Sequence, residues 1–462
     1  MNEKQFRYSY RGTMLDCCRH FFSVKEIKKL IEEMSLIGLN VFHWHLSNDQ
    51  GFRIESKRFP RLNTVSSYRR LDEDDPLVTS GRCRAGERYG GYYTQEEIKE
   101  VIAVAAERGV DVVPEIEMPG HTTAILAAYP ELSCSGEPLE AASTFGIHER
   151  ILCAGNEDVY PFVFALLDEI VPLFPSQYFH IGGDEAPKSA WRACPKCRAV
   201  FEREGLKNFE QLQICFTNRI IGHLKKLHKT PIVWNESVVE EGLDECAVVQ
   251  YWMEMAPGES YCTKEFARGR KFIFSNQGQF YSDYSYAETP LRATLNFSPN
   301  VKGVPVPKEN VLGIEAPLWT EWLFEESEIE RQLWPRLLAV AACAKRERPT
   351  TEAFLKEVKE RLEDPSFSIL TPMPWERATV EGDEALREIA RSMKLLSSRH
   401  HRMALKQGKA GAAAVVPEGT QREDPAAAAF RYLREKLGAA YSDEDVKKVL
   451  AYLKELSNET GV

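Results

Sequence analysis

The run Tyr178-Phe-His-Ile-Gly-Gly-Asp-Glu185 sets two carboxylates side by side immediately after two glycines. Its opening residues read as a strand. The glycines permit a sharp backbone departure and leave room for a ligand, so the acids are expected to project into a cavity. Carboxylates act as general acids, bases and nucleophiles. The plainer reading of the same segment is a helix-capping Asp184 beside a solvated Glu185. Adjacency narrows the chemistry. When two carboxylates cleave a glycosidic bond with retention, acid and nucleophile sit about 5 Å apart on opposite sides of the anomeric carbon. Consecutive Cα atoms are only about 3.8 Å apart, so neighbours seldom straddle a sugar in that way. For such a substrate another nucleophile is needed. The oxygen of the sugar's own 2-acetamido group can serve, while one carboxylate protonates the leaving oxygen and the other holds the amide N–H.

Something rigid must hold these acids. Between about residues 10 and 350 short β-rich runs alternate with longer segments of helical period, the pattern of parallel strands joined by crossover helices. Eight strands are expected: Gly12–Leu15, Asn40–His45, Val110–Ile116, Tyr178–Ile181, Pro231–Trp234, Ala247–Trp252, Lys271–Ser275 and Val311–Ala316. Lys25–Leu36, Gln95–Glu107, Asp158–Leu173, Glu210–Leu227 and Glu328–Ala344 carry apolar residues at helical spacing. Eight alternations imply an α/β fold, a closed (β/α)8 TIM barrel, whose chemistry sits at the C-terminal ends of the strands. Polar and aromatic residues gather there in the sequence: Arg19, Asn48 and Asp49, Glu117 and His121, Asp184 and Glu185, Trp234, Trp252, Tyr281 and Asp283, Trp319 and Glu321. Asn63–Tyr93 and Asn276–Asn310 read as insertions that shape the site. The barrel is expected over 1–350. A helical C-terminal extension follows over 351–462, with helices at Thr351–Leu362, Glu381–Lys406 and Ser442–Leu456 and a linker at Gly408–Asp424.

Composition excludes several classes. Apolar residues at 43% and charged residues at 28% are those of a chain that buries a core, not of a disordered one. A net charge of −10 with scattered Lys and Arg argues against nucleic acid as a partner. No stretch of about 18 apolar residues is present, so no membrane span is expected, and the start has no apolar leader. The chain as given reads as cytoplasmic, or as secreted if a leader has been removed. Eleven cysteines, an odd number with Cys17 and Cys18 adjacent, fit a disulfide framework poorly. Nothing in the sequence fixes an oligomeric state.

Taken with their order, these motifs resemble the β-N-acetylhexosaminidases of glycoside hydrolase family 20. The resemblance covers roughly residues 8 to 345. It rests on Arg11-Gly-Thr-Met-Leu-Asp with Arg19-His-Phe-Phe, on Asn40-Val-Phe-His-Trp-His-Leu-Ser-Asn-Asp-Gln-Gly-Phe-Arg53, on Pro114-Glu-Ile-Glu-Met-Pro-Gly-His121, on His180-Ile-Gly-Gly-Asp-Glu185 and on Glu315-Ala-Pro-Leu-Trp-Thr-Glu321. It implies retaining exo-hydrolysis of a terminal N-acetylglucosamine or N-acetylgalactosamine from an oligosaccharide or glycoconjugate, with no cofactor. It further implies that Glu185 is the general acid and later the base, and that Asp184 orients the acetamido group. Arg19 would grip the 3- and 4-hydroxyls and Glu321 the 4- and 6-hydroxyls. Trp234, Trp252 and Trp319 resemble pocket walls, Tyr281 the contact to the acetamido oxygen and Asp283 a second polar contact. His121 would support the acid from a neighbouring loop. The plainer alternative for Arg19 is a structural salt-bridge residue, and any single tryptophan or histidine taken alone reads as a core residue.

This sequence departs from the family in places. Relatives usually carry two aspartates where Asn48-Asp49 stands, and Asn48 is expected to replace the one that works with His121, which would alter the pH profile. Ala341-Ala-Cys-Ala-Lys-Arg346 lacks a customary glutamate and tryptophan, and no further pocket tryptophan is evident near Leu295–Phe297. The domain that often precedes the barrel has no counterpart in the chain as given. Cys194-Pro-Lys-Cys197 has the spacing of half a zinc site, which Cys134 and Cys153 could complete. Reduced structural cysteines are the simpler expectation, and no metal is expected. Three alternatives accompany the hexosaminidase reading. One is disaccharide release of the lacto-N-biosidase type. A second is a catalytically silent carbohydrate-binding barrel, which the complete set Asp184, Glu185, Arg19 and Glu321 disfavours. The third is a barrel lyase or aldolase, which would need a buried lysine or metal triad at the strand ends.

Overall fold

A computed structural model of the chain describes residues 3–253, 260–284, 289–363 and 442–459. Eight strands run in parallel and are buried on both faces, as expected for a sheet with helices packed on its outer face. They are β1 (Tyr10–Asp16), β2 (Val41–His45), β3 (Asp111–Glu115), β4 (Tyr178–His180), β5 (Thr230–Trp234), β6 (Val248–Tyr251), β7 (Phe272–Phe274) and β8 (Val311–Leu318). All eight expected strands are present, with ends shifted by a few residues. Each pairs with its neighbours in chain order, and β8 pairs with β1, Gly12 facing Glu315, so the sheet closes into a barrel.

Crossover helices follow the expected segments, among them Val24–Leu36, Gln95–Glu107, Val159–Ile170 and Phe209–Lys226. Two begin with complete capping boxes, Ser23 with Glu26 and Thr94 with Glu97, in which the hydroxyl accepts from the third helical N–H and the glutamate accepts from the cap. The expected single helix Glu328–Ala344 is instead two, Glu326–Leu333 and Arg336–Ala344. Pro335 explains the break, because it lacks the N–H a continuous helix needs and its ring clashes with the preceding turn. Every residue of Arg336–Ala344 is buried, so the departures in this segment sit in the barrel's outer packing. In the extension, Thr351–Glu363 and Asp443–Glu459 are helical. The expected helix Glu381–Lys406 and the linker Gly408–Asp424 lie outside the described residues. Among the described residues no helix is long and apolar enough to cross a membrane.

The barrel interior is layered. Its N-terminal end is apolar, with Tyr10, Val41, Val113, Ile232, Val248 and Ile273 packed together. A step further along, several of the strands turn polar. His43 joins Glu315 (2.9 Å) and Glu115 (3.1 Å), His180 joins Glu115 (2.8 Å), and Gln250 donates to Glu315 (2.6 Å). All of these groups are buried, so each charge is matched by a partner as a low-dielectric interior demands.

Arg53, fully buried, ties the rim loops together. Its guanidinium donates to the carbonyls of Cys17 (2.9 Å), Cys18 (2.5 Å), Ser67 (2.6 Å) and Gly91 (3.0 Å), joining the loop after β1 to the long insertion after β2. That insertion holds a small hairpin, Tyr68–Arg70 with Arg88–Gly90. Arg53→Met roughly keeps the volume but removes the Arg53 donor from all four carbonyls and leaves only that of Ser67 with another, the Gly91 N–H (3.0 Å). It is expected to cost about 3–5 kcal/mol in chemical denaturation; a loss under about 1 kcal/mol would show that the loops hold without it.

Candidate active site

The two glycines after β4 sit in left-handed backbone, Gly182 at φ 63° and Gly183 at φ 103°. A Cβ on Gly182 would lie 1.7 Å from a Glu117 carboxylate oxygen, and one on Gly183 would lie 2.3 Å from the Ser237 hydroxyl. Backbone approach this close admits only glycine. Glu185 itself has φ 44° and His121 φ 51°, positions unfavourable for residues with a Cβ. Strain of this kind persists where surrounding contacts over-determine it, and such places are commonly functional. The contacts are on hand: the Gly183 carbonyl accepts from Gln213 (2.6 Å), and the Glu185 N–H donates to Glu236 (2.9 Å).

Both strained residues meet. His121 Nε2 lies 3.5 Å from a Glu185 oxygen and 3.6 Å from an Asp184 oxygen, while its Nδ1 lies 2.7 Å from Asp49. Burial alone would favour the neutral ring, but the Asp49 hydrogen bond and the surrounding carboxylates raise His121 well above its ordinary range. The imidazolium in turn acts on its partners. Burial pushes Glu185 up, yet the His121 hydrogen bond and charge, with Arg19 assisting, bring it below the usual carboxylate value. Asp49 is lowered in the same way, against its own burial, by His121 and by Thr123.

The expected partner of His121 is therefore corrected. Asn48 does not face the histidine: its Nδ2 lies 3.0 Å from His45 Nε2, and its Oδ1 accepts the Asp49 N–H (2.7 Å). Asn48 occupies a short strand, Ser47–Asn48, and Asp49 the turn that follows, so the two side chains diverge. The carboxylate that stabilises the imidazolium is thus present.

Sequence reasoning placed Glu117 at the rim without giving it a role, and missed Glu236 and Asp16 as site groups. Glu117 is fully buried, and neither of its oxygens meets a donor from another residue. Burial, then the charges of Asp184 and Glu115, raise it well above the carboxylate range. Burial also raises Asp184, while the facing His121 acts to lower it. Glu236 is pushed to about 7 by burial and by Asp184. Alternation along Pro114-Glu115-Ile116-Glu117 was the available signal, since it turns both glutamates to the barrel axis.

Across the rim Arg19 and Glu321 are neighbours at 3.7 Å. Asp16 sets the pair, with its carboxylate accepting from Arg19 Nη1 (3.1 Å) and from the Cys18 (2.8 Å) and Thr320 (3.2 Å) backbone N–H groups. Burial would raise Asp16, but Arg19 leads the interactions that hold it at about 2. Between these groups stands an aromatic wall of Trp234, Trp252, Tyr281 and Trp319. Trp252 and Tyr281 stack at 6.0 Å, Trp234 and Trp319 lie 6.1 Å apart, and the Arg19 guanidinium covers Trp319 at 5.1 Å. Trp234 is oriented by its indole N–H, which donates to Glu115 (2.8 Å). The Trp252 indole N–H and one Asp184 oxygen have no partner among the described residues, leaving a donor and an acceptor for a ligand. Burial, then the nearby Asp283, push the Tyr281 hydroxyl well above its usual range. Phe297, near which no pocket tryptophan was found, packs on Phe274 and Phe280 in the core.

A closed (β/α)8 barrel with acids, a histidine and aromatic faces at its C-terminal rim has these groups where enzymes of that fold class carry their chemistry. Residues 8–345 match the catalytic domain of glycosyl hydrolase family 20, and the chain belongs to that family. It is 39% identical over 347 residues to a β-hexosaminidase of Porphyromonas gingivalis, covering 72% of this chain and 42% of that one. A β-hexosaminidase of Vibrio furnissii is 34% identical, with 72% and 56% covered. The chain thus spans about half the length of these relatives. Among solved structures, an exo-β-N-acetylglucosaminidase of Vibrio harveyi in complex with N-acetylglucosamine is similar at a TM-score of 0.66 and 31% identity, covering 77% of this chain and 57% of that one.

The two candidate partners of His121 are separable by exchange. Asp49→Asn removes the charge that raises His121, so the imidazole is expected to lose its proton at lower pH, read by nitrogen NMR, with turnover down at least about tenfold. Asn48→Asp should leave the His121 titration nearly in place. The reverse ranking would return the role to position 48.

Proposed function

We propose that this barrel removes a terminal, non-reducing N-acetylglucosamine or N-acetylgalactosamine from oligosaccharides or glycoconjugates, with retention and with the substrate's acetamido oxygen as nucleophile. The observation that carries the reading is one imidazolium, His121, held against two consecutive carboxylates. Acids so placed lie on one side of a bound sugar, which leaves the opposite face of the anomeric carbon to an internal nucleophile.

Each residue then has a task. Asp184 accepts the acetamido N–H and stabilises the positive charge that grows as the amide oxygen attacks, with Glu117 donating to its far side. Tyr281 donates to the acetamido oxygen and holds it in line. Glu185 protonates the leaving oxygen, the glycosidic bond breaks, and an oxazolinium forms. Glu185, now a base, takes a proton from water as the water opens the ring. Arg19 and Glu321 hold the ring hydroxyls. Trp234, Trp252 and Trp319 pack on apolar faces and exclude water, and Asp283 adds a polar contact.

Glu185→Gln removes the acid and should cut kcat by roughly 10²–10⁴ on glycosides with poor leaving groups. Asp184→Asn should do likewise on all 2-acetamido substrates, and a glucoside lacking the acetamido group should be inert with the unaltered enzyme. Near-normal turnover by both variants, or brisk cleavage of that glucoside, would reject the reading.

The free site holds Glu185 in its charged form, whereas catalysis starts from its acid form. A bound sugar strips away water and raises Glu185, so a proton is taken up on binding. The alkaline limb of kcat/KM, which reports the free enzyme, is therefore expected at lower pH than that of kcat. Coincident limbs would contradict this charge assignment.

A further inference from the structure

Four cysteines converge beside the catalytic rim. Cys134 and Cys153 lie in the loop between β3 and the helix Val159–Ile170, while Cys194 caps and Cys197 enters the helix Pro195–Arg203 beyond β4. Cys153 Sγ lies 3.5 Å from Cys197 and 3.7 Å from Cys194, and Cys134 lies 3.8 Å from Cys197. All four sulfurs fall within 4.8 Å of one another. A tetrahedral ion with metal–sulfur bonds of about 2.3 Å separates its sulfurs by about 3.8 Å, which matches these spacings. A disulfide would bring two of them to about 2.0 Å.

The backbone is shaped for the cluster. The Cys153 N–H donates to Leu132 (2.9 Å), Asn156 donates to Glu131 (2.9 Å), and the Arg198 N–H closes on the Cys194 carbonyl (3.0 Å). Gly155 lies so near the second segment that a Cβ there would fall 2.2 Å from the Lys196 carbonyl carbon and 2.3 Å from the Cys197 nitrogen. The two pairs therefore meet through close backbone contact, and three of the four cysteines are buried. Reduced thiols filling a core need neither four sulfurs nor this spacing.

We propose that Cys134, Cys153, Cys194 and Cys197 bind one zinc ion as a closed structural site. Four protein ligands leave no open position, so the ion takes no part in bond cleavage. It clamps the loop that carries His121 to the segment that follows Asp184 and Glu185, fixing two pieces of the rim that no barrel strand joins directly. The ligands bind as thiolates, so zinc uptake releases protons. This revises the expectation of no metal, which weighed Cys194 and Cys197 without knowing that the other pair reaches them.

The test uses the full chain, produced with zinc in the medium and purified without chelator. Elemental mass spectrometry should find about one zinc per chain, and a mercurial should release it as four thiols react. Cys194→Ser and Cys197→Ser should each lose most of that zinc and melt roughly 5 °C or more lower. Should those variants fail to fold, the titration of the unaltered chain decides. Less than about a tenth of an equivalent of metal in folded protein, or recovery of these cysteines as disulfides, would overturn the site. An equivalent of iron instead would overturn the choice of zinc.

Discussion

Carboxylates on consecutive residues share one side of whatever binds before them, and the rim of this barrel is arranged around that limit. Gly182 and Gly183 take left-handed backbone so that β4 ends abruptly, and Glu185 adopts the same region despite its side chain. One imidazolium then serves both acids, anchored from behind by Asp49. Move any of these and the acids separate from their common cation. The proposed chemistry follows from the same limit, because a pair confined to one side leaves the opposite face of the sugar to its own amide.

The polar layer below the rim supports that arrangement electrostatically. Glu115 gathers His43, His45 and His180 and also receives the indole N–H of Trp234, so the group that holds three barrel histidines also sets the angle of the Trp234 ring. Burying such a network is costly unless every member is paired, and once paired it fixes geometry more firmly than an apolar core. Its charge also reaches upward: after burial and Asp184, Glu115 is the next influence that raises Glu117. The Trp234 ring, Glu117 and the paired rim acids are thus linked through one buried glutamate.

Much of this was legible in the sequence. The eight strands stood out because parallel strands buried on both faces are short apolar runs, and their chemistry-bearing residues follow directly after them. The helix over Glu328–Ala344 was overextended because its apolar spacing continues through Pro335, while the proline's missing donor decides the matter locally. Asn48 was misassigned for another reason. In a tight turn one residue's offset reverses the direction of the side chain, and sequence order cannot say whether position 48 or 49 faces a histidine some seventy residues away. Glu117 was placed at the rim without a role, and Glu236 was overlooked, because their roles depend on depth and on neighbours from other strands. The cysteine cluster was half visible, since only the folded loops bring Cys134 and Cys153 to Cys194 and Cys197.

The proposed chemistry turns on the sugar supplying its own nucleophile. Inhibition by a thiazoline analogue of the cyclised N-acetylglucosamine intermediate tests it most directly. Competitive inhibition at least about a hundredfold tighter than that by free N-acetylglucosamine is expected, since the analogue resembles a species the site is built to stabilise. An analogue that binds no better than the free sugar would contradict it.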